Sequence, residues 1–283
     1  MTELKHITVV TTFHSRHYGV YGKNFLDSFA RHVDKRIKLI VYAEDCDPEN
    51  PDPTRIEILN AETELSKLNA FKQRWKDNPK ANGIPPDEIK KRRPRDHHKA
   101  FKWDAVRFAN KVYAVFDACE RSKDWCVWMD ADTVIHSDWS YEDFAELLPT
   151  TSWITYVGRG RGSQTWPECG FYGLNLKDPV CQEFLQEFER MYEDADYGIF
   201  TLEEWHDSYV FGHILNNIKQ TASNVLDYTA ELLIKGAKTG GGGHPLINTR
   251  LGCWMDHMKG DRKFQGKSKP KDLVVDRPEG YWK

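Results

Sequence analysis

The sequence predicts an α/β fold, in which helices flank a mostly parallel, Rossmann-like sheet, and three observations carry this prediction. Residues 6–11 (HITVVT) form a nearly continuous β-branched run, typical of a strand covered on both faces. An amphipathic helix with Phe25 and Phe29 on one side, followed by a second apolar strand at 37–43, completes a βαβ unit. A third apolar strand, 127–129, ends in a pair of aspartates, at the edge where open α/β sheets place ligands.

Length and composition favour one soluble catalytic domain over residues 1–283. The net charge of -3 creates no global field that attracts nucleic acid or an anionic membrane. The six cysteines include no CxxC pair, which argues against a zinc site or a disulfide framework and favours a reducing compartment. We find no signal peptide and no apolar run of about 18 to 20 residues, so the predicted location is the cytoplasm.

The middle of the chain is harder to interpret. Residues 56–59 favour a short strand, but from 65 to 98 the periodicity fades into Asn, Gly, Pro-Pro and the basic run KKRRPR at 90–95. This composition predicts an inserted, flexible and basic excursion.

Regular patterns resume at residue 99. Phe101, Phe108, Val112 and Phe116 recur at helical spacing. The remaining predicted elements are a helix at 141–148, strands at 153–157 and 169–176, and helices at 178–192 and 202–218. Four consecutive glycines then begin a C-terminal loop and basic strap, 239–283, which we expect to close over the bound donor.

The stretch WMDADTVIHSD, 128–138, carries the chemistry. Side chains two apart on a strand point the same way, so Asp130 and Asp132 can converge on one hard divalent cation. Taken alone, this pattern also fits a solvated exit from a strand. A distant HMKGDRK stretch carries no signal by itself, but as part of a family signature it implies that His257 offers a third ligand, Gly260 lets the backbone approach a diphosphate, and Lys263 adds a compact positive charge.

Four stretches, VVTTFHSRHYG, WMDADTVI, CGFYGLNL and HMKGDRK, together resemble GT-A-type glycosyltransferases of the glycogenin and lipopolysaccharide galactosyltransferase group. In two respects the chain differs from that pattern, since Phe264 and Gln265 follow the lysine where Pro-Trp is usual, and Cys169 replaces a common serine. The resemblance implies Mn²⁺ or Mg²⁺ held by Asp130, Asp132 and His257. It also implies a nucleotide-sugar site comprising Thr11, Thr12, Phe13, Lys102, Asp130, Ala131, Gly170, Gly260 and Lys263.

Two acidic residues are candidates for acting on the acceptor hydroxyl or the sugar. Asp207, in the stretch WHDS, is either a helix cap or a group beside the sugar that serves as a base in an inverting enzyme or positions groups in a retaining one. Glu168 is the weaker candidate.

These features predict a metal-dependent hexosyl- or pentosyltransferase that uses a nucleotide-sugar donor, with a UDP-sugar expected. The acceptor is open and includes a glycan, a protein or modified DNA, and the oligomeric state is undetermined. Two alternatives remain: a non-catalytic module that binds carbohydrate or nucleic acid, and a sugar nucleotidyltransferase, although the first turn lacks the glycine-rich phosphate loop of that class.

Overall fold

A seven-stranded sheet is at the centre of the described residues. The computed structural model describes residues 4–94, 99–159, 166–234 and 244–283. The strands are β1 (Ile7–His14), β2 (Lys38–Glu44), β3 (Ile56–Asn60), β4 (Trp125–Met129), β5 (Thr133–Ile135), β6 (Ile154–Val157), β7 (Glu168–Asn175), β8 (Val225–Asp227) and β9 (Met255–His257). The large sheet has the order β3-β2-β1-β4-β7-β6-β8.

The sheet is mostly parallel. Strands β1 to β4 pair in parallel, β7 pairs antiparallel with both β4 and β6, and β8 pairs in parallel with β6. Among the described strands of this sheet, β7 therefore runs against the other six. The predicted fold class, a mostly parallel sheet flanked by helices, is confirmed.

Helices cover both faces of the sheet. They are α1 (Ser15–His17), α2 (Lys23–His32), α3 (Ala61–Glu64), α4 (Ser66–Trp75), α5 (Asp87–Arg92), α6 (Ala105–Arg121), α7 (Tyr141–Glu146), α8 (Pro179–Glu193), α9 (Asp207–Ile218), α10 (Ala230–Ile234), α11 (Pro245–Asn248) and α12 (Arg262–Gln265). In the part of the chain that the structure describes, no helix combines the length and apolar character that crossing a bilayer requires.

Alternation along the strands divides the apolar core into two clusters. Val9 of β1 packs in the cluster that includes α2 and α7, whereas Val10 packs in the cluster that includes α4, α6, α8 and α9. Successive side chains on a strand point to opposite faces, so a continuous apolar strand fills both clusters.

The segment 65–94 differs from the predicted excursion. It contains α4 and α5, and Leu68, Phe71 and Trp75 of α4 are buried in the core. The Phe71 ring lies 5.9 Å from that of Tyr113 on α6. Because the helices are short and are separated by Asn, Gly and Pro, their periodicity is weak, although α4 packs against α6 and Ile89 of α5 joins the core. Residues 95–98, which include part of the basic run, lie outside the described residues.

Two helices begin later than predicted. Residues Ala100–Trp103 form a 3₁₀ turn, and α6 begins at Ala105 because the Asp104 side chain accepts a hydrogen bond from the Arg107 backbone N–H and caps the helix. Helix α9 begins at Asp207 rather than near 202.

A separate two-stranded sheet joins distant parts of the chain. Strand β5, directly after Asp132, pairs antiparallel with β9, and Thr133 lies opposite His257. The Met258 N–H donates to the Asp132 carbonyl at 2.8 Å. The C-terminal region is thereby tied to the end of β4.

Candidate active site

The side chains of Asp130, Asp132 and His257 converge on one point. His257 Nε2 lies 3.3 Å from Asp130 Oδ2 and 3.1 Å from Asp132 Oδ1. One ligand atom from each of the three residues lies within 4.8 Å of those of the others. Two carboxylates and an imidazole separated by 125 positions in the chain thus form one compact group.

The fold fixes each member of this group. The Asp130 N–H donates to the Gly170 carbonyl at 2.9 Å, and the Trp128 indole N–H donates to Asp130 Oδ1 at 2.7 Å. The pairing of β5 with β9 places His257 next to the two aspartates. Gly170 supplies the room, because a Cβ at that position would lie 2.6 Å from the His257 ring.

Electrostatic coupling within the group is strong. Burial alone would lower the pKa of His257, but the Asp132 and Asp130 carboxylates outweigh it and raise that pKa to about 10. Burial likewise opposes ionisation of both aspartates, yet Lys111 and His257 hold the pKa of Asp130 below its usual range, and His257 does the same for Asp132. The two carboxylates are therefore anionic and attract a cation.

The donor set fits a divalent metal. Carboxylate oxygens with one imidazole nitrogen suit Mn²⁺, and three protein ligands leave positions for phosphate oxygens and water. Asp130 and Asp132 side chains remain 28% and 16% exposed, so the group is open to the cleft beside it.

Lys111 is a residue of the candidate site that was not predicted from the sequence. Its ammonium lies 3.1 Å from Asp130 Oδ1 and 2.8 Å from Asp207 Oδ2, and it also donates to the Cys169 carbonyl. Burial would lower its pKa, but Asp130 and Asp207 reverse that effect and raise it, so Lys111 is a fixed cation. The available signal was its place among apolar residues of α6, directly before buried Val112.

Asp207 and Glu168, the two predicted catalytic acids, both line the cleft. Asp207 is 6% exposed and is the first residue of α9, not its cap, which is His206. Glu168 is 5% exposed and pairs with Lys259 at 2.6 Å and with Arg159. Lys259 is the largest of several charges that overcome the effect of burial and lower the pKa of Glu168.

The predicted diphosphate residues lie beside the group formed by Asp130, Asp132 and His257. Lys263 Nζ is 3.5 Å from Asp132 Oδ2 and 5.3 Å from the centre of the Tyr21 ring. Gly260 adopts a φ of +67°, a left-handed conformation that favours glycine, and it lines the cleft. Within the described part of the C-terminal strap, the cleft is lined by the section from His257 to Lys263.

Four other residues predicted to contact the donor pack around β1 and the end of β4. Thr11 and Phe13 are buried within β1, the Thr12 hydroxyl donates to the Tyr42 carbonyl at 2.7 Å, and Ala131 is 4% exposed. None of these four residues is among the described residues that line the cleft. The reason is that β1 continues to His14, past the predicted first turn, so its threonines and phenylalanine pack within the sheet.

Lys102 lines the cleft, as a donor-contacting residue would. Its ammonium pairs with Glu204 at 2.9 Å, whereas Lys111 lies next to Asp130. The helix predicted from residue 99 is a 3₁₀ turn at Lys102, and this turn directs the side chain toward the 203–207 segment.

The cleft beside these groups has a volume of about 740 Å³. That lies within the range of about 300 to 1,000 Å³ that is usual for small-molecule sites. Eight lysines or arginines and five aspartates or glutamates are among the described residues that line it. Cationic side chains thus outnumber acidic ones among these described residues.

Comparisons with known proteins gave structural likenesses only. No family model and no curated protein matches the chain. Two structures of the glycosyltransferase GlyE from Streptococcus pneumoniae TIGR4 are similar, both at 13% identity: the apo form has a TM-score of 0.42 and the other 0.38. The matches to the apo form and to the other structure cover 80% and 78% of this chain, and 46% and 45% of the respective GlyE chains. The apo structure of the bifunctional glycosyltransferase WbbM is similar with a TM-score of 0.43 at 13% identity. That match covers 82% of this chain and 40% of the WbbM chain. The chain thus spans less than half the length of these proteins.

Proposed function

We propose that this chain is a metal-dependent glycosyltransferase that transfers a sugar from a nucleotide-sugar donor, with a UDP-sugar as the expected donor. The observation that carries the proposal is the convergence of Asp130, Asp132 and His257, with Lys263 3.5 Å from Asp132, beside the cleft of about 740 Å³. A diphosphate needs such a combination of a cation site and an adjacent ammonium.

The proposed roles follow from charge. Negative charge grows on the diphosphate as the glycosidic bond breaks, and fixed positive charge stabilises it in the transition state. Lys263 supplies part of that charge, and Gly260 leaves room for the diphosphate next to the backbone. A Mn²⁺ or Mg²⁺ ion held by Asp130, Asp132 and His257 would supply the rest when bound.

On the sugar side we assign the central role to Asp207. Lys111 holds its carboxylate at 2.8 Å and keeps it close to Asp130, so Asp207 can orient the sugar or accept a proton from the acceptor hydroxyl. Glu168 is assigned a supporting role, because its carboxylate is already engaged by Lys259 and Arg159.

Thermal denaturation with UDP, GDP, CDP and ADP, each with and without Mn²⁺, tests the donor assignment. A ligand at about one hundred times its Kd adds about 2.7 kcal/mol to the free energy of unfolding, which raises the Tm of a chain of this size by several degrees. We expect UDP with Mn²⁺ to exceed the sum of the separate effects. Asp132→Asn should remove this synergy, whereas Asp138→Asn, an exposed aspartate in the same stretch, should retain it.

Two outcomes would count against the proposal. If no nucleoside diphosphate stabilises the chain in the presence of Mn²⁺, a binding module for carbohydrate or nucleic acid becomes the better interpretation. If Asp132→Asn hydrolyses and transfers donor at the wild-type rate while still requiring metal, the metal ligands have been assigned incorrectly.

A further inference from the structure

We propose that Asp256 is a positioning residue of the candidate active site. Its buried carboxylate closes the loop formed by residues 257–267, and this closure holds the imidazole of His257 and the ammonium of Lys263 next to Asp132. We call this segment the donor loop. The inference rests on the proposed function and identifies the contacts that assemble one half of the donor site.

The donor loop brings several groups to the cleft at once. His257 Nε2 lies 3.1 Å from Asp132 Oδ1, and Lys263 Nζ lies 3.5 Å from the other oxygen of the same carboxylate. The residues of the loop that line the cleft are His257, Lys259, Gly260 and Lys263. Because all four belong to one segment, the way in which its two ends are held sets their position together.

One carboxylate joins the two ends of the donor loop. Asp256 is 0% exposed, and its Oδ2 accepts a hydrogen bond from the Ser268 N–H at 2.8 Å, while its Oδ1 accepts one from the Ser268 hydroxyl at 2.6 Å. Ser268 follows 12 positions later and is 4% exposed, so both ends lie inside the protein. Closing a loop costs conformational entropy, and these short hydrogen bonds to one carboxylate offset that cost.

A third donor connects the closure to the small sheet. The Tyr281 hydroxyl donates to Asp256 Oδ2 at 2.8 Å. The Tyr281 ring also stacks on His136 at 4.1 Å, with 5° between the two planes. His136 directly follows β5, which pairs with β9. The closure is thereby anchored to both strands of the small sheet.

Asp256 and His257 are consecutive residues of β9, so their side chains leave the strand on opposite sides. On one side, the Asp256 carboxylate holds the closure. On the other side, His257 Nε2 lies 3.3 Å from Asp130 and 3.1 Å from Asp132. Rotation or slippage of β9 would move both side chains, so the contacts that fix Asp256 also restrict where the imidazole lies.

Arg262 holds the middle of the donor loop. It donates to the two oxygens of Asp272 at 2.7 and 2.6 Å, and to the Lys259 carbonyl at 3.2 Å. A bidentate pair of this kind fixes geometry as well as contributing energy. The chain's own contacts thus hold the loop in place, which lowers the conformational cost of binding a donor.

The Mn²⁺ affinity of three variants, measured by electron paramagnetic resonance of the free ion, tests the inference. Asp256→Asn replaces an accepting oxygen by an N–H donor, while Ser268→Ala and Tyr281→Phe each remove one hydroxyl donor. We expect Asp256→Asn to weaken Mn²⁺ binding by about tenfold, the lower end of the range for groups that orient metal ligands, and the other two to weaken it less. Tyr42→Phe is the matched control, because it removes a tyrosine hydroxyl that donates to Asp117 on α6, and it should keep the wild-type affinity.

Amide hydrogen exchange without metal separates positioning from a general loss of stability. The Met258 N–H donates to the Asp132 carbonyl at 2.8 Å and reports on local opening beside the donor loop. Val9 of β1, which pairs with β2 and β4, reports on the central sheet. We expect Asp256→Asn to speed exchange at Met258 by about tenfold or more relative to Val9, and Tyr281→Phe to act in the same direction.

Three results would overturn the inference: wild-type Mn²⁺ affinity in all three variants of the closure, an equal loss of affinity in Tyr42→Phe and Tyr281→Phe, or equal acceleration of exchange at Met258 and Val9. If Asp256→Asn does not fold, Ser268→Ala and Tyr281→Phe decide the matter.

Titration of wild type with Mn²⁺ and UDP separates this failure from failure of the proposed function. If wild type binds both and the three variants bind equally well, only the role of Asp256 is wrong. If wild type binds neither, the donor assignment is wrong, and the positioning role falls with it.

Discussion

Gly170 controls where the imidazole of His257 can lie. A Cβ at this position would stand 2.6 Å from His257 Cε1 and 2.8 Å from Nδ1, closer than real Cβ atoms approach a ring. A methyl group here must displace the imidazole from the two aspartates, because the backbone of β7 is held by pairing with β4.

We therefore expect Gly170→Ala to weaken Mn²⁺ binding by about tenfold or more, the usual cost of disturbing the shell around a ligand, while leaving the far-UV circular dichroism unchanged. Electron paramagnetic resonance of free Mn²⁺ measures the affinity. Gly280→Ala is the matched control, since nothing lies within 4 Å of a Cβ there. Equal Mn²⁺ affinity in the two variants would contradict the role assigned to Gly170.

Lys111 is the counter-charge of two carboxylates in the site. Replacing it by methionine leaves Asp130 and Asp207 near each other without their shared cation. Removing one partner from a buried ionic group is destabilising by about 3 to 5 kcal/mol, and we expect about 2 to 4 kcal/mol here because Asp130 is partly exposed.

Urea unfolding of Lys111→Met measures this loss. Lys67→Met provides the comparison, since Lys67 also bridges two carboxylates, of Glu189 and Glu193, but is 58% exposed. These two surface ion pairs of Lys67 together should contribute at most about 1 kcal/mol to the free energy of unfolding. Similar losses in the two variants would mean that Lys111 is not a buried ionic centre.

At the level of single residues, only part of the candidate site could be predicted from the sequence. Asp130, Asp132 and His257 stand in recognisable patterns, and the structure brings them together. Lys111 belongs to no such pattern, because its partner Asp207 is 96 positions away and only the tertiary fold joins them. Thr11 and Phe13 show the opposite case, where a recognisable stretch packs within the sheet.

Among the secondary-structure elements, the C-terminal end of α2 depends on a side chain from another segment. Arg55 is 7% exposed and donates to the carbonyls of Phe29 and Ala30, both at 3.1 Å, and to those of Asp34 and Ile37. The last carbonyls of a helix have no partner within it, so this guanidinium supplies what the local sequence cannot.

We expect Arg55→Met to reduce the free energy of unfolding by about 3 to 5 kcal/mol, because it removes a buried guanidinium that donates to four carbonyls and pairs with Asp52 at 2.9 Å. Urea denaturation measures the change. Arg74→Met removes an exposed arginine that pairs with Asp196 and should change stability by less than about 1 kcal/mol. If the two substitutions cost the same, the cap on α2 is not important for stability.

Elements were predictable in proportion to the strength of their local pattern. The parallel strands β1 and β2 and helix α6 have long apolar patterns and appear where expected, with α6 shortened by the cap at Asp104. Strands β5 and β9 have three residues each, too few for a periodic signal. Helix α4 was missed because its buried residues also pack against distant parts of the chain, such as Phe71 against Tyr113 and Trp75 against Phe200.

For the whole molecule, His136 links stability to pH. Its ring stacks on Tyr281 at 4.1 Å and meets Trp282 edge-on, so it joins the chain's C-terminal turn to the end of β5. Asp256 and Glu279 favour its charged form and Arg277 opposes it, but burial is the largest influence and lowers its pKa to about 4.

The sign of the effect follows from the lowered pKa. The folded state favours neutral His136, so its contribution to stability is present above the ordinary pKa of about 6.5 and is lost as the pH falls toward 4. With allowance for its partial exposure, we expect wild type to lose about 1 to 3 kcal/mol over this window relative to His136→Asn. Urea unfolding at several pH values measures the difference, and parallel profiles would contradict the assignment.

The pairing of β5 with β9 also sets an order of events during synthesis. All seven strands of the central sheet have been translated by Asp227, but His257 follows 30 residues later. At about 5 to 20 residues per second, the ribosome finishes the sheet-forming part of the chain about 1.5 to 6 s before it adds His257. A polypeptide that terminates between Asp227 and His257 would therefore contain all seven strands of the sheet but lack one member of the Asp130, Asp132 and His257 group, so a nucleotide-dependent response to Mn²⁺ would report that synthesis has passed residue 257.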